Sequence, residues 1–239
     1  MYTLVFDIET IPTDEGNLTD EELECLYRRA EDEEKEQRIR NMMALWAPTA
    51  HIVSVGLLIY EKNFAKVLYL SQEDSQEEED MEGYRVKLTS YSIKEGIESA
   101  ERKLLSDFWD VVGHQSIGTL VSFNGRSFDS PFLMLRSLLL DVKVSRNLIG
   151  NRYRYDDHID LMDLLSFHGI GRPYSLDFLC RRLGFSSPKD FMKGEEVKDR
   201  FRNGAYSDIA IYNFYDVVAI GKLYGRLKRT MGEAFGLEA

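Results

Sequence analysis

The segment Tyr2-Thr3-Leu4-Val5-Phe6-Asp7-Ile8-Glu9 constrains the fold more than any other part of the chain. Its β-branched and aromatic residues, ended by Pro12, predict a buried strand. Strand residues two apart face the same side of a sheet. Asp7 and Glu9 therefore project together, with Phe6 and Ile8 on the opposite side. Two carboxylates side by side repel unless cations lie between them, and oxygen-rich sites of that kind suit Mg²⁺ or Mn²⁺. The plainer alternative is a solvated strand end that carries two acids.

Further strands are predicted over His51 to Tyr60, Ala65 to Leu70, Leu120 to Phe123 and Tyr155 to Leu161. Thr19-Asp20-Glu21-Glu22 matches a capping box and opens a charged helix to about Arg40. Ser92-Ile93-Lys94-Glu95 opens a second helix to about Val112. Ser130-Pro131 starts another, with Pro at an early helical position. Helices follow near Ser175 to Leu183, Glu195 to Arg202 and Asp208 to Arg229. Strands come first and helices alternate later, which predicts an α/β fold with a mixed sheet flanked by helices. No repeat or linker divides the chain, so residues 1–239 are expected to form a single domain.

Composition excludes several classes. Hydrophobic residues make up 44% and charged residues 30%, as in a soluble globular protein. No apolar run approaches the roughly 18 residues that a membrane span needs. No basic segment precedes the first strand and no small-residue cleavage site follows it, so no signal peptide is expected. The two cysteines, Cys25 and Cys180, form no CxxC unit, which suits a reducing, cytoplasmic setting. The net charge is −11, but Asp14 to Arg40 and Ser71 to Glu82 hold 18 of the 41 acidic residues. The second stretch reads as a solvated loop. A broad basic surface for nucleic acid is absent; nucleic acid would have to be handled in a local groove, with metal ions supplying positive charge.

Two further groups carry candidate chemistry. In Phe123-Asn124-Gly125-Arg126-Ser127-Phe128-Asp129 a buried strand ends, a glycine turn follows and Asp129 precedes a helix. Asp129 alone reads equally as a helix cap and Asn124 as a turn residue. In Tyr212-Asn213-Phe214-Tyr215-Asp216, Tyr212 and Asp216 share one helix face with Ile209, Ile220 and Leu223. An acid on an apolar stripe needs a partner; the plain reading is a partly exposed Asp216 paired to Lys222 or an arginine, with Tyr212 as ordinary core.

In chain order these groups read F-D-I-E-T, N-G-R-S-F-D and Y-N-F-Y-D. The set resembles the three motifs of the DEDD superfamily of 3′–5′ exonucleases, in its tyrosine subclass, which has a ribonuclease H-like fold. The histidine subclass would need His at the position of Ile211. FDIETIP and Tyr174-Ser175-Leu176-Asp177-Phe178-Leu179 also look like the predicted exonucleases related to the proofreading domain of family-B DNA polymerases. The resemblance covers roughly residues 1–229. It implies that Asp7, Glu9, Asp129 and Asp216 hold two divalent cations, Mg²⁺ or Mn²⁺, and that Tyr212 orients the attacking water. It implies contacts to the terminal nucleotides from Thr10, Ile11, Asn124 and Phe128. The implied substrate is single-stranded nucleic acid with a free 3′ end, DNA favoured, and the implied product a nucleoside 5′-monophosphate.

Phe128 suits either base stacking or core packing. Arg126, Arg172 and Lys193 are candidate phosphate contacts or plain surface charges. Asp160 either supports the site from behind or caps the helix after it. His51, His114, His158 and His168 share no metal-ligand spacing. Two other readings stay open: an exoribonuclease acting on RNA ends or short oligonucleotides, since nothing in the sequence speaks to the 2′-hydroxyl, and a non-catalytic ribonuclease H-like binding module.

Overall fold

The computed structural model describes residues 1–151, 153–155 and 157–237. The opening segment forms β1 (Tyr2–Pro12), which lies inside a seven-stranded sheet. It pairs antiparallel with β2 (Ala50–Ile59) and parallel with β6 (Ile117–Ser122). With β3 (Phe64–Ser71), β4 (Ser75–Met81), β5 (Tyr84–Ser92) and β7 (His158–Asp160), the order is β4-β5-β3-β2-β1-β6-β7. The sheet is mixed, as expected: β3/β5 and β6/β7 run parallel, β2/β3 and β4/β5 antiparallel.

Helices cover both faces. On one side, α3 (Ile97–Val112) and α4 (Asp129–Leu139) bury Leu104, Phe108, Phe132 and Leu133 against Leu4, Phe6 and Ile8. On the other, α8 (Tyr206–Phe235) buries Phe214, Val217 and Ile220 against Val5, Leu58 and Val67. Side chains alternate along β1, so Asp7 and Glu9 follow Val5 onto the α8 side. The pairing register slips between Glu9 and Thr10. The extra residue, Val53, belongs to β2, and Ile11 is buried in one core cluster with Ile8, Val197 and Ile209. The remaining helices are α1 (Asp20–Tyr27), α2 (Glu33–Met42), α5 (Leu161–Leu165), α6 (Leu176–Leu183) and α7 (Val197–Arg202). Among the described residues no helix is long and apolar enough to cross a membrane.

The structure corrects several expected elements. The charged helix near 19–40 is two helices. Thr19 and Glu22 form the expected capping box of α1, but Asp32 accepts from the Lys35 N–H and starts α2 afresh. The acidic stretch 71–82 is no loop: most of it is β4, at the sheet edge. Glu82 (φ 53°) and Gly83 (φ 79°) make the tight turn into β5, the left-handed pair that two-residue hairpins favour. Across this hairpin Glu78 faces Lys87 and Asp80 faces Arg85, so opposite charges offset one another in register. Ser92 caps a short turn over Ile93–Glu95, and α3 begins only after Gly96. The strand expected over 155–161 is shorter, with residue 156 outside the described residues.

One buried charge group locks the α3/α4 layer to the sheet. Glu101 is fully buried and accepts from Arg136 Nε (2.8 Å) and Nη2 (2.6 Å) and from the Ile52 N–H (3.0 Å). Its Oε2 also lies 3.0 Å from His51 Nδ1. Burial pushes the carboxyl group upward, but these hydrogen bonds and the guanidinium outweigh it and hold the group below its usual range.

Candidate active site

Three elements meet on the α8 side of the sheet. The end of β1 supplies Asp7 and Glu9. The helix α8 supplies Tyr212, Asn213 and Asp216, and the turn after β6 leads to Asp129 in the first turn of α4. Carboxylate oxygens of Asp7, Glu9 and Asp216 all lie within 4.8 Å of one another, the arrangement of a metal-binding group. Asp129, 4% exposed, stands beside them. Its Oδ1 accepts the backbone N–H of Ile8 at 3.0 Å, which pins it against β1 between the two strand acids.

Electrostatics reflect the crowding. Burial, then repulsion from the neighbouring acids, drives Asp7 and Glu9 well above the ordinary carboxylate range. Burial leads again for Asp129, pushed up to about 7, and for Asp216, pushed up to about 8, which also feels Asp129. Tyr212 is 5% exposed; burial and the charges of Asp216, Glu9 and Asp7 push its hydroxyl far up, so it remains a neutral donor. The neighbouring Tyr212 hydroxyl and the Lys189 ammonium both pull the Asp216 carboxyl back down somewhat. Even so, Asp216 Oδ2 is sealed from solvent without a hydrogen-bond partner. Buried polar atoms are rarely left so. A hard divalent cation takes oxygen ligands of this kind, and the donor set fits one.

The supporting residues were less legible. Asn213 is fully buried; its Nδ2 donates to Asp7 Oδ2 at 2.8 Å and its Oδ1 accepts from Ser54 Oγ at 2.9 Å. A Cβ at Gly56, which pairs with Asp7 across the sheet, would come 2.9 Å from the Asn213 carbonyl oxygen. Only glycine lets α8 approach β2 this closely. Asp160 fills both of its anticipated parts. It caps α5, and its two oxygens also accept the N–H groups of Asn124 (2.9 Å) and Arg126 (3.0 Å), fixing the turn before Asp129. Asn124 takes φ 63° in that turn.

The residues expected at the terminal nucleotides are distributed unevenly. Thr10 Oγ1 donates to the Ala44 carbonyl oxygen at 2.7 Å, and the Ile11 side chain is in the core. Phe128 is half-buried, 5.4 Å from the Phe132 ring, and lines an apolar groove of about 490 Å³ with Trp46 and Pro131. Of the three suggested phosphate contacts, the Arg126 guanidinium is turned back onto the carbonyls of Ile149 and His158. Arg172 lies over the Tyr174 ring, and Lys193 lies 3.9 Å from Glu195. Lys189, which no motif marked, is the cation that acts on Asp216.

A protein family described as predicted 3′–5′ exonucleases related to the exonuclease domain of PolB matches residues 45–235. The chain belongs to this family. The match contains Asp129, Tyr212 and Asp216, while Asp7 and Glu9 lie ahead of it. The family B DNA polymerase of Pyrobaculum calidifontis superposes with a TM-score of 0.56 at 15% identity, over 95% of this chain and 24% of the polymerase. At that identity the likeness is one of fold, and it agrees with the ribonuclease H-like α/β architecture. An uncharacterized protein of Methanocaldococcus jannaschii, MJ0365, is 33% identical over 107 residues, 43% of this chain and 56% of the relative. The chain thus spans just over half of that relative and about a quarter of the polymerase.

Proposed function

We propose that residues 1–239 form a single metal-dependent 3′–5′ exonuclease domain that shortens single-stranded nucleic acid, with DNA favoured, releasing nucleoside 5′-monophosphates. The observation that carries this reading is the convergence of Asp7, Glu9 and Asp216 with a sealed, unpartnered Asp216 oxygen, beside Asp129. Four crowded carboxylates are costly unless cations share them.

In this reading Asp7, Glu9, Asp129 and Asp216 hold two divalent ions, Mg²⁺ or Mn²⁺, which when bound would supply positive charge to the attacking and departing oxygens at phosphorus. The residues of the chain do the rest. Tyr212, kept neutral, is a hydrogen-bond donor that orients a water for in-line attack; it does not act as a base. Asn213 fixes the rotamer of Asp7, and Asp160 fixes the turn that presents Asn124, Phe128 and Asp129. Phe128 and the apolar groove beside it offer a face for an unpaired base. Thr10 and Ile11 contribute through their backbone, since both side chains are engaged elsewhere.

The test uses 5′-labelled single-stranded DNA and RNA of matched sequence with Mg²⁺ or Mn²⁺. Shortening from the 3′ end is expected, absent with EDTA and in Asp7→Ala. Intact oligonucleotides in the presence of metal-loaded protein would overturn the proposal. The relative rates on the two strands decide between DNA and RNA.

A further inference from the structure

A second cavity, of about 580 Å³, opens beside the C-terminal half of α8. Its walls include Tyr60, Tyr84 and Phe185 and the cationic side chains of Lys222, Arg226 and Arg229. It is separate from the carboxylates. Along α8, Lys222 is six positions from Asp216 and Arg226 ten, about 9 and 15 Å of rise. Tyr60 lies past the end of β2, six residues beyond Ser54, which pairs with Glu9; that is about 20 Å of strand.

The charges in this cavity stand out in a chain of net charge −11. Among the described residues, Lys222, Arg226 and Arg229 have no carboxylate within ion-pair distance. The Arg226 guanidinium lies 5.3 Å over the Phe185 ring, and its Nε–H is sealed from solvent with no acceptor. A charged donor without an acceptor is unfavourable; Nε itself is closed off, but Arg226 is only partly buried and forms part of the cavity wall, where an incoming anion can meet its guanidinium. The backbone is fitted to the aromatic wall: a Cβ at Gly225 would stand 2.6 Å from the Tyr60 hydroxyl.

Three cations converging on one space suit an anion with several oxygens, and guanidinium groups suit phosphate in particular. Tyr60 and Tyr84 add ring edges and hydroxyl groups that inorganic phosphate does not use. We propose that this cavity binds a nucleotide, with its phosphate among Lys222, Arg226 and Arg229 and its base against Tyr60 and Tyr84. The nucleotide is either a free nucleoside monophosphate or one unit of a strand. The inference does not depend on cleavage at the carboxylates.

The test is calorimetric titration of the full chain in EDTA with AMP, inorganic phosphate and a single-stranded 12-mer. Three proteins are compared: wild type, Asp7→Asn/Asp216→Asn and Lys222→Gln/Arg229→Gln, with folding checked by circular dichroism. Saturable AMP binding is expected in the first two and about tenfold weaker binding or more in the third, the effect of losing charge-assisted contacts. Because Arg226 also packs on Phe185, Arg226→Lys serves as a milder probe and is expected to weaken AMP in the same direction. If the 12-mer weakens in parallel, the nucleotide is part of a strand; if it does not, the ligand is the free nucleotide. Three results would overturn the proposal: no AMP binding by folded wild type, binding lost only in Asp7→Asn/Asp216→Asn, or inorganic phosphate binding as tightly as AMP. Nuclease activity is not read, so failure of the exonuclease assignment leaves this test intact.

Discussion

Asn213 and Asp7 are 206 positions apart in the chain, yet the Asn213 side-chain amide donates to Asp7 Oδ2 at 2.8 Å with no solvent reaching the amide. The contact sets which way one strand carboxylate faces. It also ties α8 to β1, because the other end of the same amide is held by Ser54.

Asn213→Ala is therefore expected to lower metal affinity or nuclease rate by about 10–100-fold, the usual cost of removing a group that orients a metal ligand. The Ser54 hydroxyl loses its acceptor as well, at about 1–3 kcal/mol of stability. Mn²⁺ titration together with thermal unfolding separates the two effects. A variant with unchanged metal affinity would show that Asp7 does not need this anchor.

Metal-free protein should lose stability as pH rises toward 8. Asp129 and Asp216 take up protons more readily folded than unfolded, with values raised to about 7 and about 8. A group raised on folding contributes fully below its unfolded value and loses that contribution as pH passes its folded value. Adding Mg²⁺ or Mn²⁺ replaces the protons, so the gain in Tm on metal addition should grow from pH 6 to pH 8. Asp216→Asn should make the metal-free Tm less sensitive to pH over the same span. Scanning fluorimetry across this range, with and without metal, checks both.

His158 gives a trend of the opposite sign at lower pH. It is buried, donates from Nδ1 to the Leu148 carbonyl oxygen at 2.7 Å, and accepts at Nε2 from the Ser122 hydroxyl, also at 2.7 Å. Burial above all depresses its folded value to about 4. The neutral ring stabilises the fold above its unfolded value near 6.5, and that contribution, about 3 kcal/mol, is lost as pH falls toward 4. Urea unfolding at pH 7 and pH 4.5 measures the loss. His158→Gln should be weaker at pH 7 and flatter between the two.

Arg136→Leu strands the Glu101 carboxylate in the core. An unpaired buried charge costs about 3–5 kcal/mol. Replacing Arg136 and Glu101 together with leucines should recover much of it. Equal destabilisation of the single and double variants would mean that the ion pair is not what holds α3, α4 and β2 together.

The sequence made some of this architecture readable and hid the rest for physical reasons. The D-x-E pair on a strand is visible because alternation fixes its geometry, and Tyr212 and Asp216 because helical spacing does. Asn213 is not legible in the sequence, because a buried asparagine on a helix carries no periodic signal and its partners, Asp7 and Ser54, are distant in sequence. Lys189 sits in a short turn whose position is set only by tertiary packing. The sequence of β4 reads as a loop because its glutamates mask a hairpin whose clue is Glu82-Gly83. The break between α1 and α2 hinged on a single cap at Asp32, inside a run of charge that otherwise favours continuity.

The strand β4 has a further consequence for how the protein behaves in bulk solution. It is the outermost strand, with one side unpaired, and it carries Glu77, Glu78, Glu79 and Asp80 in succession. A second molecule docking there edge to edge through its own β4 would bring like charges about 5 Å apart at every rung. At neutral pH this discourages sheet-to-sheet polymerisation.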